Sequence, residues 1–159
     1  MISVEVITDS ASREALSDQW LALTEGSFAS AFSQPAWYKA WSNAFGANNP
    51  VLIAAFENRE LVGILPLGIS RPTLPNLYLP FVVPYARGDY QPFLVLPNRQ
   101  AEAMPKLLEA AFSHFRKEGT FLFPSIPSDD PSLPVLRDWL RSKGYPSTEE
   151  SETAPRMRT

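Results

Sequence analysis

The sequence predicts an α/β domain with a mixed, mostly antiparallel central sheet and helices on both faces. Three observations carry the prediction. Short β-rich runs follow one another as a meander between residues 51 and 96. Amphipathic helical patterns flank that meander on both sides. The last elements alternate helix, strand and helix, which places helices on both faces of the sheet.

The chain of 159 residues has room for one domain with its own core. Hydrophobic residues make up 45% and charged residues 19%, a globular balance. Net charge is −3, so there is no basic footprint for nucleic acid and no attraction to anionic lipid. Without cysteine, disulfides, thiolate nucleophiles and zinc–thiolate sites are excluded. The single histidine, His114, excludes a histidine-rich metal site. Met1 to Glu5 has neither a basic stretch nor an apolar run, so no secretory leader is expected there. No apolar run approaches the roughly 18 residues of a membrane span. A bacterial cytoplasmic protein is the expectation. The 16 prolines are dispersed and punctuate short elements.

Ile2 to Thr8 alternates as a first strand. Asp9 or Ser10 caps a helix over Glu14 to Leu23, with Leu16, Trp20 and Leu23 on one face and Gly26 at its end. Ser33 is the expected cap of a second helix, with Pro35 in its first turn, where a missing N–H costs nothing. Trp37, Trp41 and Phe45 recur one turn apart along it, and Gly46 stops it. Val51 to Phe56 is a continuous apolar run, the mark of a strand covered on both faces. Glu57 to Glu60 is a polar turn into a return strand, Leu61 to Ile69, in which Pro66 marks an edge or a bulge. Leu74 to Val83 and Phe93 to Leu96 are two further strands. A helix follows, with Met104, Leu107, Leu108, Ala111, Phe112 and Phe115 buried. Pro105 either kinks it or moves its start to about residue 102. Thr120 to Phe123 is a strand. Asp130 caps a last helix with Pro131 at its first position, Leu133, Leu136 and Leu140 inward, and Gly144 closing it. No internal repeat appears. The domain is assigned to residues 1–145, and 146–159 to a polar tail or the start of a linker.

Tyr85, Arg87, Asp89 and Tyr90 are the candidate substrate-binding residues, in a polar loop between two apolar strands. A carboxylate there can take a proton or orient an amine, and a phenol can donate one. The plainer reading has Gly88 making a turn, Asp89 satisfying its own backbone and Tyr90 packing. Trp37 and Trp41 offer aromatic faces to a saccharide or lipid acceptor. Their spacing on an amphipathic helix fits a core stripe better. His114 has no nameable partner, and Asp129–Asp130 before a proline reads as a cap. No serine sits in a nucleophile elbow.

Several short motifs resemble one family when taken in order. They are Phe32-Ser33-Gln34-Pro35-Ala36-Trp37, Trp41, Phe45-Gly46, Leu61-Val62-Gly63-Ile64-Leu65-Pro66-Leu67, and Asp89-Tyr90 with Phe93-Leu94. Ile126-Pro127 and Asp130-Pro131 agree as well. Together they resemble the GNAT-superfamily acetyltransferases of the CelD/BcsL cellulose-biosynthesis type, relatives of the FemAB peptidyltransferases. The resemblance implies a GNAT-like sheet. It implies that the complete protein transfers an acyl group from acyl-CoA, such as acetyl-CoA, to an amine or hydroxyl acceptor in exopolysaccharide or envelope synthesis. Members carry two tandem lobes, and this chain resembles the N-terminal one. A second GNAT-like lobe or a homodimer partner is therefore implied, with the isolated chain inactive. The other outcome is a non-catalytic scaffold or pairing module.

In the resemblance, the CoA diphosphate rests on a glycine-rich turn between the fourth strand and the next helix. The matching residues Asn98, Arg99, Gln100 and Ala101 contain no glycine, Pro97 removes a donor, and Glu102 adds a negative charge. This lobe is accordingly expected to bind no cofactor.

Overall fold

The computed structural model describes residues 1–45, 50–70, 80–86 and 93–151. The expected stop at Gly46, the strand residues 74–79, the loop positions Arg87, Gly88, Asp89 and Tyr90, and the tail from residue 152 lie outside that set.

The described elements are β1 (Ile2–Ile7), α1 (Ser10–Ala15), α2 (Ser17–Gly26), α3 (Pro35–Phe45), β2 (Val51–Glu57), β3 (Glu60–Ser70), β4 (Phe81–Pro84), β5 (Leu94–Val95), α4 (Gln100–His114), β6 (Thr120–Phe121) and α5 (Ser132–Lys143). The sheet order is β1-β2-β3-β4-β6, with β5 also on β3. Every described pairing is antiparallel except β4 with β6. The predicted fold class is the observed one.

Two cores sandwich the sheet. Ile53 and Ala55 of β2 pack with Met104, Leu107 and Leu108 of α4 and with Leu136 and Trp139 of α5. Leu52 and Ala54, the alternate residues, pack with Leu16, Trp20 and Leu23 on the α2 side. Alternation of side chains along a strand therefore feeds both cores, which is why β2 is a continuous apolar run.

The β2–β3 hairpin turns on Asn58 and Arg59, at φ 53° and 70°. Two consecutive left-handed residues match the twist of the flanking strands.

Pro66 requires a correction. It does not mark a sheet edge, because β3 is central and pairs on both sides. Its carbonyl accepts from the Tyr85 N–H at 3.1 Å, so its backbone polar side faces the fourth-strand position. There the missing proline N–H leaves the ladder one donor short. Among the described residues β3 pairs with β4 from Ser70↔Phe81 to Leu67↔Pro84 and with β5 at Ile64↔Leu94 and Gly63↔Val95. The register shift of the β2–β3 ladder falls between Ala55 and Phe56, not at Pro66.

Other details differ locally. The first helix is two helices: α1 buries none of its side chains, whereas α2 carries the buried Trp20 and Leu23. Ser33 does not cap α3 but belongs to a 3-10 turn over 31–33, capped by Ser30. Helix α4 begins at Gln100 and runs through Pro105, so its start is not displaced to residue 102. The carbonyl that Pro105 leaves without its helical donor belongs to Ala101, an exposed residue that water can serve. Asp130 lies one residue before the cap position taken by Pro131, yet its Oδ1 still accepts the Ser132 N–H at 2.8 Å. Gly144 ends α5 at φ 70°, the left-handed glycine cap expected of it. No helix among the described residues is long and apolar enough to cross a membrane.

Candidate functional site

A small cleft of about 30 Å³ lies against β3. It lies at the carboxyl ends of β4 and β6, the parallel pair, where open sheets place their ligands. Its floor is Ile64, Leu65 and Pro66 of β3 with Leu94 of β5. Pro84, Phe93, Phe123 and Ile126 form one wall, and Trp20, Phe32, Ser33 and Tyr38 form the other. No described residue on these walls is charged.

The helical wall is held by local bonds. Trp20 Nε1 donates to the Ser33 carbonyl at 2.9 Å in the interior. Ser30 and Ser33 exchange capping bonds across the 3-10 turn. The rings of Trp20 and Tyr38 pack at 4.8 Å. Burial pushes the Tyr38 phenol well above its ordinary pKa, so it remains a hydrogen-bond donor through neutral pH. Its position on α3 beside Trp37 gave no sequence signal, because a tyrosine next to a tryptophan stripe looks like packing.

The strand wall is held by Asp130. This buried carboxylate accepts the Phe93 N–H with Oδ2 at 3.0 Å and the Ser132 N–H with Oδ1. It thereby ties Phe93, which leads into β5, to the start of α5. Desolvation raises its pKa against the lowering effect of those bonds. The sequence reading found the local cap but not the partner 37 residues away.

Among the candidate residues, Tyr85 directly follows β4. Its ring lies against Gly68, where a Cβ would come within 2.9 Å of Tyr85 Cδ2. Its hydroxyl accepts from Ser42 Oγ at 3.0 Å. Arg87, Asp89 and Tyr90 lie outside the described residues. The core reading of Trp37 and Trp41 is corrected: α3 buries no residue. Phe32, Trp37, Trp41 and Phe45 instead form a half-exposed aromatic ladder, with successive centroids 5.1, 6.1 and 4.5 Å apart. Neither tryptophan lines the cleft.

The segment Asn98, Arg99, Gln100 and Ala101 forms the entrance to α4. Residues 97–99 are a 3-10 turn in which the Arg99 N–H donates to the Leu96 carbonyl at 2.9 Å. The Arg99 guanidinium pairs with Glu57 at 2.7 Å. Gln100 is turned inward, its Nε2 buried without a partner, and Glu102 stands in the first turn. Among the described residues no cluster of three acidic or histidine side chains could hold a metal ion.

No protein-family model matches the chain, and no curated protein matches it in sequence. Solved structures do. The aminoglycoside acetyltransferase AAC(6')-Iy, in complex with a CoA bisubstrate analogue of acetylneamine, superposes with a TM-score of 0.60 at 13% identity, covering 99% of both chains. The aminoglycoside acetyltransferase meta-AAC0020 from an uncultured soil metagenome, bound to sisomicin, gives 0.61 at 16% identity, covering 99% of this chain and 96% of that one. A ribosomal-protein-alanine N-acetyltransferase from Brucella melitensis gives 0.56 at 10% identity, covering 98% of this chain and 99% of that one. These are GNAT acetyltransferases, and the chain has their fold.

Proposed function

We propose that the chain is the acceptor-side module of an acyl-CoA-dependent acyltransferase. One observation carries the reading: in a GNAT acetyltransferase fold, a small apolar cleft lies at the carboxyl ends of the parallel pair. Such a cleft would take one end of a small-molecule acceptor, amine or hydroxyl. The CoA thioester would supply an activated acyl group, and the module would orient the acceptor toward it.

The cofactor's diphosphate does not fit the turn at residues 97–100. Pro97 has no N–H, the Arg99 N–H and guanidinium are both engaged, and Glu102 adds negative charge where an anion would rest. The donor is therefore assigned to a second GNAT-like lobe, as in the CelD/BcsL group, and exopolysaccharide or envelope synthesis is the setting that group suggests. Calorimetric titration with acetyl-CoA tests this. The isolated chain should show no micromolar binding, and a chain joined to its donor lobe should bind and turn over. Micromolar binding by this chain alone would overturn the division of labour.

A second reading is favoured by the sheet end. Among the described strands β6 closes the order, with Leu122 51% exposed beside it. An apolar edge that no described strand covers invites strand addition. A homodimer pairing there, without catalysis, is the scaffold alternative, and light scattering separates the two.

A further inference from the structure

The cleft against β3 is about 30 Å³, room for about two heavy atoms. Most of the polar groups around it are already spent. Trp20 Nε1 donates to the Ser33 carbonyl, and the Ser33 hydroxyl is engaged with Ser30. The Pro66 carbonyl accepts from the Tyr85 N–H, and the Phe93 carbonyl from the Val95 N–H. The Phe93 N–H donates to Asp130. Pro66 and Pro84, both in the lining, carry no N–H. The Tyr38 hydroxyl is one further group, short of the roughly two to four partners that hold a water in such a space. An apolar group needs none.

The width of the cleft is fixed from both sides. The Phe93 and Phe123 rings meet at 5.2 Å. Behind Phe123 lies Phe121 at 6.1 Å, which stacks on Phe112 of α4 at 3.9 Å. Phe112 in turn meets Trp139 of α5 at 5.0 Å. This wall is thus the end of an aromatic row that runs back into the core, where close packing leaves rings no room to retreat. Opposite, Trp20 and Tyr38 pack at 4.8 Å, and β3 beneath is a central strand. A group too wide for the cleft meets packed rings on either side.

We propose that the cleft is an apolar subsite for an alkyl end of about two heavy atoms, with Phe123 as the residue that sets its size. The inference rests on the acceptor-side reading above and deepens it: the acceptor enters by a methyl or ethyl end, and its amine or hydroxyl stays outside the cleft. Phe123 is the half-buried end of the row, packed against the core and not within it. Its truncation therefore widens the cleft while the core behind it stays closed.

The test uses the full chain without CoA and two probes: xenon, an apolar atom close to a methyl group in size, and benzene. Binding is followed through the methyl resonances of Ile64 and Ile126, both in the lining. Xenon should move them saturably, and benzene should leave them in place. Ile126→Phe, which fills the cleft, should abolish the xenon response at Ile64. Phe123→Ala should admit benzene at least about tenfold more tightly than the parent does. Phe123→Leu takes its place if the alanine variant does not fold. No saturable xenon response, a response that survives Ile126→Phe, saturation by benzene in the parent, or exclusion of benzene once Phe123 is shortened each overturns the proposal. Its failure is separable from that of the acyltransferase reading. Xenon held by a chain that transfers no acyl group when joined to its donor lobe sinks only the latter. Acyl transfer by a joined protein that takes up no xenon sinks only the former.

Discussion

Ser42 Oγ donates to the Tyr85 hydroxyl across 3.0 Å, joining the aromatic helix to the residue that follows β4. The bond spans 43 residues of sequence and fixes α3 relative to β4. Tyr85 is held on its other side by the bare backbone of Gly68.

Gly68→Ala would place a methyl 2.9 Å from the Tyr85 ring, which the Ser42 bond keeps from retreating. Overpacking of this kind should cost about 1–3 kcal/mol. Gly63→Ala meets Leu107 Cδ1 at 3.1 Å and the Val95 methyls at 3.2 and 3.4 Å, none as close as the contact at Gly68, and should cost less. Urea midpoints of the two variants give the order, and equal costs would contradict it.

Asp130→Ala strips acceptors from two buried N–H groups and should destabilise by about 2–4 kcal/mol, with Asp130→Asn milder. The pH dependence has a definite sign. Because the folded pKa is raised, the titration of this carboxyl favours the fold most below its unfolded pKa. That advantage is lost as pH rises through the folded pKa. The stability gap between parent and Asp130→Asn should therefore be wider at pH 4 than at pH 7, as read by denaturant unfolding.

Arg59 holds φ 70° in the hairpin turn, a conformation that a side chain disfavours. Arg59→Gly should raise stability by about 1 kcal/mol. A rise in the urea midpoint at unchanged slope is the expected result.

Leu122→Lys removes an apolar group that is 51% exposed, so it should change monomer stability by under about 0.5 kcal/mol. If β6 edges pair two copies, the charge should abolish association, because edge lysines block strand addition. Light scattering of parent and variant decides it.

Much of the architecture was legible because its signals are local. The apolar run at 51–56, the glycine that ends α5 and the buried stripe of α4 each declare themselves within a few residues. The aromatic repeat on α3 was misplaced in the core because spacing reports a shared face and not what covers it; α3 buries no residue, and Phe45 is 66% exposed. The cleft was less legible still. Its hold on Phe93 comes from Asp130, and its helical wall depends on Trp20 reaching Ser33. Contacts between distant residues leave no periodic trace. Of the polar loop proposed as the site, Tyr85 is described and is bonded into the scaffold, while Arg87, Asp89 and Tyr90 lie outside the described residues.

Pro66 gives one point of the central strand a covalent asymmetry. No adjustment of temperature, salt or acidity restores a hydrogen that the ring nitrogen never carried. At this residue β3 can accept, as it does from the Tyr85 N–H, but it can never donate.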